Sequence, residues 1–121
     1  MASDHPVQAR IGAVFVPVSD IARSAAWYGA LLGVPVGTTS HEDRIHDVPL
    51  AGEAALILDA HRPVAVSSQP LCFLWSDDLE RAAALVEDLG GRPSAIEDIG
   101  SVRTMRLEDP DGNLLMLCQR T

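Results

Sequence analysis

The sequence predicts an α+β fold: two copies of a βαβββ unit, with helices on one face of a mixed sheet. Three observations carry that expectation. The chain matches itself when slid by 58 residues, each copy carries an aspartate where its helix begins, and each helix is followed by three short strand-like runs separated by turn residues.

The repeat aligns residues 14–36 with residues 72–94 without a gap. Eight positions are identical: Phe15/Phe73, Asp20/Asp78, Arg23/Arg81, Ala25/Ala83, Ala26/Ala84, Leu31/Leu89, Gly33/Gly91 and Pro35/Pro93. Each copy opens on a β-rich run, over 11–18 and 71–75. Asp20 and Asp78 follow, suited to accept the free N–H groups of a first helical turn. Apolar residues then recur at helical spacing, as Ile21, Ala25, Tyr28, Leu31 and Leu32 in one copy and Leu79, Ala82, Ala83, Val86 and Leu89 in the other. Gly33 and the pair Gly90 and Gly91 stop the helices, where a left-handed residue is needed. The strand candidates after the first helix fall near 34–41, 44–48 and 54–58, and those after the second near 93–97, 102–108 and 114–119. Residues 61–69 carry no pattern and read as a linker. One domain over 1–121 is expected, with module one at about 10–60 and module two at about 70–120.

Composition narrows the function classes. Nine basic residues stand against 17 acidic ones, a net charge of −8. No basic cluster exists to meet phosphates, so nucleic acid is not an expected partner. An acidic surface favours cationic ligands or simply solubility. No apolar run approaches a membrane span, and the polar start over 1–8 reads as a frayed arm, so a cytoplasmic protein is expected. Cys72 and Cys118 fit no CxxC pattern and read as reduced, buried thiols. No GxSxG, P-loop or GxGxxG motif occurs.

The run VFVPVSDIARSAAWYGALLG and the ending EDPDGNLLMLCQ resemble the vicinal oxygen chelate superfamily, which includes glyoxalase I, bleomycin-resistance proteins and extradiol dioxygenases. The resemblance spans residues 11–119. It implies that the strands of both modules curl into one mixed sheet, an open cup with the helices on its convex face and the ligand on its concave face. It also implies a homodimer.

In the enzymes of that superfamily, His and Glu side chains on the cup floor hold one divalent metal. The resemblance places those positions at Ala13 and Leu71, seven residues before each capping aspartate, at Met116 after the DPDGN turn, and at Leu56 by aligning Gly52 with Gly112. None of these side chains chelates a hard or borderline cation, and a thioether suits only soft metals. No metal and no other cofactor is therefore expected.

Strand alternation, anchored on Ala13 and Leu71, then turns Phe15, Pro17, Phe73 and Trp75 into the cup. Leu114, Met116 and Cys118 join them from the last strand, and Ala54, Leu56 and Leu58 from the fourth, with Met105 as a further lining residue. Cys72 points the other way, so a bridge to Cys118 is not expected. Two readings of this apolar basin stand: a pocket for a flat organic ligand, or a face filled by its own core or by a dimer interface.

Polar candidates are sparse. His41, Glu42, Asp43, Arg44, His46 and Asp47 cluster around one turn. An imidazole such as His46 suits acid–base work near neutrality, although a solvated charged hairpin is the favoured reading of the cluster. Asp59 and His61 stand near the linker. Alternation lets either Arg103 or Arg106 enter the cup and anchor an anion, although a salt bridge with one of the abundant surface carboxylates is the favoured reading. If the chain is an enzyme, His46, Asp59, Arg103 and Cys118 are the catalytic candidates.

The expected function is metal-independent binding of a small, largely apolar or aromatic molecule, as in drug sequestration. A metal-free isomerase, lyase or cyclase is the alternative. A metal-dependent lyase or dioxygenase with displaced ligands ranks last.

Overall fold

The computed structural model describes residues 5–37, 44–61, 63–65 and 67–121. Among them the elements run β1 (Ala13–Pro17), α1 (Ile21–Leu32), β2 (Ile45–Pro49), β3 (Ala55–Asp59), β4 (Phe73–Trp75), α2 (Leu79–Asp88), β5 (Glu97–Asp98), β6 (Val102–Glu108) and β7 (Leu114–Arg120).

Both helices begin as their sequences require. Asp20 accepts the Arg23 N–H at 3.1 Å, and Asp78 accepts the Arg81 N–H at 3.1 Å. Helix α1 stops at Gly33, which sits left-handed at φ 68° and gives its N–H to Gly29 O. Helix α2 stops at Gly90, at φ 84°, and the Gly91 N–H closes onto Val86 O at 2.9 Å.

The strands form a three-stranded sheet of order β1-β3-β2 and a four-stranded sheet of order β4-β7-β6-β5. The copies share one wiring: the first strand runs parallel to the last, and the last pairs antiparallel with the one before it. The expected single curled sheet is thus two sheets, not hydrogen-bonded into one among the described residues. The strand expected near 34–41 is not formed over 34–37, and 38–41 lie outside the described residues. The strand expected over 93–97 shrinks to β5. Pro93 has no N–H for a ladder, and Ser94 takes over: its N–H donates to Arg106 O at 2.8 Å, and its Oγ accepts the Arg106 N–H at 2.8 Å.

One face of each sheet packs on a helix. Val16, Val48, Leu56 and Leu58 meet Ile21, Ala25 and Tyr28, while Met105, Leu107, Leu115 and Leu117 meet Leu79 and Val86 in the same continuous core. Each such leucine contributes about 1.5–3 kcal/mol by leaving water.

The DPDGN turn, residues 109–113, joins the two halves. Asn113 donates from Nδ2 to Pro17 O at 2.8 Å, at the end of β1. Tyr28 on α1 donates its hydroxyl to Asp109 Oδ2 at 2.7 Å. Asp111 accepts the Ser19 N–H and hydroxyl and pairs with Arg23 at 3.1 Å. Read from the sequence as a turn alone, this segment is a polar clamp between the modules.

Candidate functional site

Directly paired residues share a face of a sheet, so strand register decides which side chains meet. In the first sheet Ala13, Phe15 and Pro17 pair with Ala55, Ile57 and Asp59, and these with Pro49, Asp47 and Ile45. In the second, Phe73 and Trp75 pair with Met116 and Cys118, and these with Arg106 and Thr104. These are the helix-free faces, and both are open. Phe15 is 64 % exposed, Phe73 49 % and Trp75 50 %. Phe73 and Trp75 meet edge to face with ring centres 5.0 Å apart, and the Arg120 guanidinium carbon lies 3.7 Å from the Trp75 ring centre.

The register corrects part of the expected lining. Leu56 and Leu58 face α1 and are buried in the core, and Ile57 is the residue beside Phe15. Since Phe73 pairs with Met116 as Phe15 pairs with Ile57, the counterpart of Met116 is Ile57. Met105 likewise belongs to the core, because Arg106 is the residue paired with Met116. Ala54 lies just before β3. Leu71 precedes β4, half-buried, and gives its N–H to Leu114 O at 2.8 Å. Ala13, Phe15, Phe73, Trp75, Leu114 and Met116 sit on the helix-free faces, as alternation implies.

The superfamily's metal positions therefore read Ala13, Ile57, Leu71 and Met116. Three hydrocarbon side chains and one thioether do not fit a divalent metal of that kind. Among the described residues, no group of three or more His, Cys, Asp or Glu side chains is placed to hold a metal ion.

The four catalytic candidates are not brought together. His46 turns inward toward α1 with Leu58 and Val48, and is 3 % exposed. It is therefore not a rim residue, and its Nδ1 has no hydrogen-bond partner among the described residues. An orphaned imidazole nitrogen in a core costs stability. Replacing His46 with leucine is expected to raise the thermal midpoint by about 3 °C, and calorimetric unfolding checks this. Asp59 lies on the opposite face of that sheet, buried, and accepts the His61 N–H at 2.8 Å. Arg103 turns toward α2 and pairs with Glu80, which lowers the glutamate pKa and raises that of the guanidinium. Cys118 shares its face with Trp75, and burial pushes its thiol pKa up, which makes it a poor nucleophile at neutral pH. Cys72 is also a free thiol. His41, Glu42 and Asp43 lie outside the described residues.

Arg120 and Ile57 are the site residues that sequence reasoning missed. Arg120 was within reach, two residues beyond Cys118 and so on the same face. A groove of about 620 Å³ lies elsewhere, between Arg10, Ile11 and Gly12 and the turn at Gly52 and Glu53. It is shallow and lacks aromatic side chains, so the aromatic face is the stronger candidate.

Two mixed sheets, each with a helix on one face and a first strand parallel to its last, define the vicinal oxygen chelate fold. The glyoxalase-like domain family matches residues 13–118, and the chain belongs to that family. No curated protein matches it. Among solved structures, it is similar to TnmS3, an antibiotic-binding protein from Streptomyces sp. CB03234, at 21 % identity and TM-score 0.78, over 97 % of this chain and 100 % of that one. It is also similar to a glyoxalase/bleomycin resistance protein from Catenulispora acidiphila DSM 44928, at 23 % identity and TM-score 0.66, over 90 % and 96 % of the two chains. The oxidase ChaP-H1 follows at 18 % identity and TM-score 0.73, over 94 % and 98 %.

Proposed function

We propose that this protein binds a small, flat, largely apolar organic molecule without a metal, on the helix-free sheet faces, and that it does so as a homodimer. The observation that carries the reading is the exposed Phe73–Trp75 pair, set beside positions where the superfamily's enzymes need ligating side chains and this chain has Leu71 and Met116. Stacking and burial of a ring on such a pair suit sequestration of an antibiotic-like compound, and TnmS3 is an antibiotic-binding protein. Two open apolar faces on one small chain also favour a second copy covering them.

The test is a panel of planar aromatic compounds titrated by tryptophan quenching. Trp75 is exposed and Trp27 is buried, so a ligand on this face quenches the exposed population. Trp75→Ala is expected to weaken binding at least about tenfold, or about 1.4 kcal/mol. Copurification of stoichiometric zinc, nickel, manganese or iron would overturn the metal-free reading.

A metal-free isomerase, lyase or cyclase is the second reading, favoured by the oxidase among the similar structures at the level of scaffold. Turnover of a bound compound decides for it.

A further inference from the structure

The helix-free face of the second sheet carries charge as well as rings. Across it, Phe73, Met116 and Arg106 form one row, and Trp75, Cys118 and Thr104 the next. Arg120 stands two residues further along β7, opposite Val102, and lies over Trp75. Strand spacing puts the Cα atoms of Arg106 and Arg120 about 14 Å apart, one beside and one beyond the patch of Phe73, Trp75, Met116 and Cys118. Two long cationic side chains thus flank one aromatic patch.

Neither arginine has a carboxylate partner among the described residues. Arg10, Arg23 and Arg103 are paired, with Glu53, Asp111 and Glu80, all off this patch. The carboxylates that register puts on the same face are Glu97, opposite Thr104, and Glu108, opposite Leu114. Neither forms an ion pair with Arg106 or Arg120. Arg120 is also preorganised. A guanidinium stacked on an indole keeps its N–H edge free to grip an oxyanion with two parallel hydrogen bonds.

The whole chain carries −8, which alone favours cations. That field is screened beyond about 8 Å at physiological salt, whereas a ligand on Phe73 and Trp75 lies within contact distance of the arginines. Local charge therefore outweighs the sum.

We propose that this face selects flat aromatic anions, such as aryl carboxylates and ionised phenols or enols, with Phe73 and Trp75 holding the ring and Arg106 and Arg120 the acid group. The proposal rests on the small-molecule reading above and names its ligand class. It reverses the preference that net charge suggests.

Three probes with one ring system test it by calorimetric titration of the full chain: 2-naphthoate, 2-naphthamide and 2-naphthylmethylammonium. Naphthoate is expected to bind at least about tenfold more tightly than the amide, and the ammonium most weakly of the three, with the preference shrinking in high salt. Arg106→Gln and Arg120→Gln should each reduce the acid-over-amide ratio about threefold, and the double variant should abolish it while amide binding remains. Both residues are exposed at the surface, so the variants should keep the wild-type thermal midpoint. Equal binding of acid and amide, or a preference that survives the double substitution, overturns the proposal and leaves the small-molecule reading intact. Failure of all three probes to bind at millimolar concentration counts against both.

Discussion

Asp109→Ala is expected to destabilise the protein by about 4 kcal/mol, enough to leave a marginally stable chain partly unfolded at 25 °C. The carboxylate is 5 % exposed. It accepts the Tyr28 hydroxyl at 2.7 Å, Asn113 Nδ2 at 2.8 Å, and the backbone N–H groups of Asn113 and Asp111 at 2.9 Å each. Alanine removes all four acceptor contacts and strands a buried phenol and a buried amide. Hydrogen bonds to a charged acceptor contribute about 1.5–3 kcal/mol each and do not add, which sets the figure. Urea unfolding measures it, and a loss below about 1 kcal/mol would show that the turn is held by its backbone alone. Asp109→Asn separates charge from shape: it keeps the volume but turns one oxygen into a donor facing other donors, and should recover little.

The second large effect concerns alkali. Burial, reinforced by the Asp109 charge, raises the Tyr28 pKa far above the ordinary tyrosine value. The folded state then holds a proton that the unfolded chain releases above about pH 10. Folding stability is therefore fully present below that pH and falls above it, at about 1.4 kcal/mol per pH unit. Burial raises the Cys72 and Cys118 pKa values as well, and both act in the same direction from the lower thiol range upward. The chain has one tyrosine, and its nine basic residues are all arginines, which do not titrate in this window. Phenolate absorbance consequently reports Tyr28 alone. It should stay flat above pH 10 until the protein unfolds, then rise in one step with the loss of circular dichroism. Tyr28→Phe should flatten the alkaline slope by about that amount; a gradual phenolate titration in the folded protein would contradict the assignment.

The sequence disclosed the duplication because the constraint acts twice: Asp20 and Asp78 cap their helices through equivalent N–H groups, Arg23 and Arg81. Orientation was legible wherever a run could be anchored on the repeat. Phe15, Phe73, Trp75 and Met116 were placed on the correct face because period two admits one choice once one residue is fixed. The anchor failed after the turns. Gly52 and Gly112 are not equivalent in register, so the offset of 58 residues between copies becomes 59 at Ile57 and Met116, and Leu56 was assigned to the wrong face. Strand β6 had no anchor, which left Arg103 and Arg106 unresolved and put Met105 on the wrong face. His46 misleads for a chemical reason: in the run Ile-His-Asp-Val the imidazole looks polar, yet it is the Asp47 charge that claims the solvent side. The clamp between the halves was invisible, since nothing local to residues 109–113 says that Tyr28 and Pro17 lie opposite.

That clamp has a consequence for the two copies as copies. Among the described residues, only one of the paired loops performs it. The corresponding turn of the first half, around Gly52, spends its carboxylate Glu53 on Arg10 in an exposed ion pair at 2.8 Å. The halves are therefore no longer interchangeable: a second copy of the first half in place of the second would still bring a capped helix and a strand ladder, but would remove the cross-links that hold Tyr28 and the end of β1. The duplication survives as geometry, and the division of labour between its halves has made the two copies non-equivalent parts of one fold.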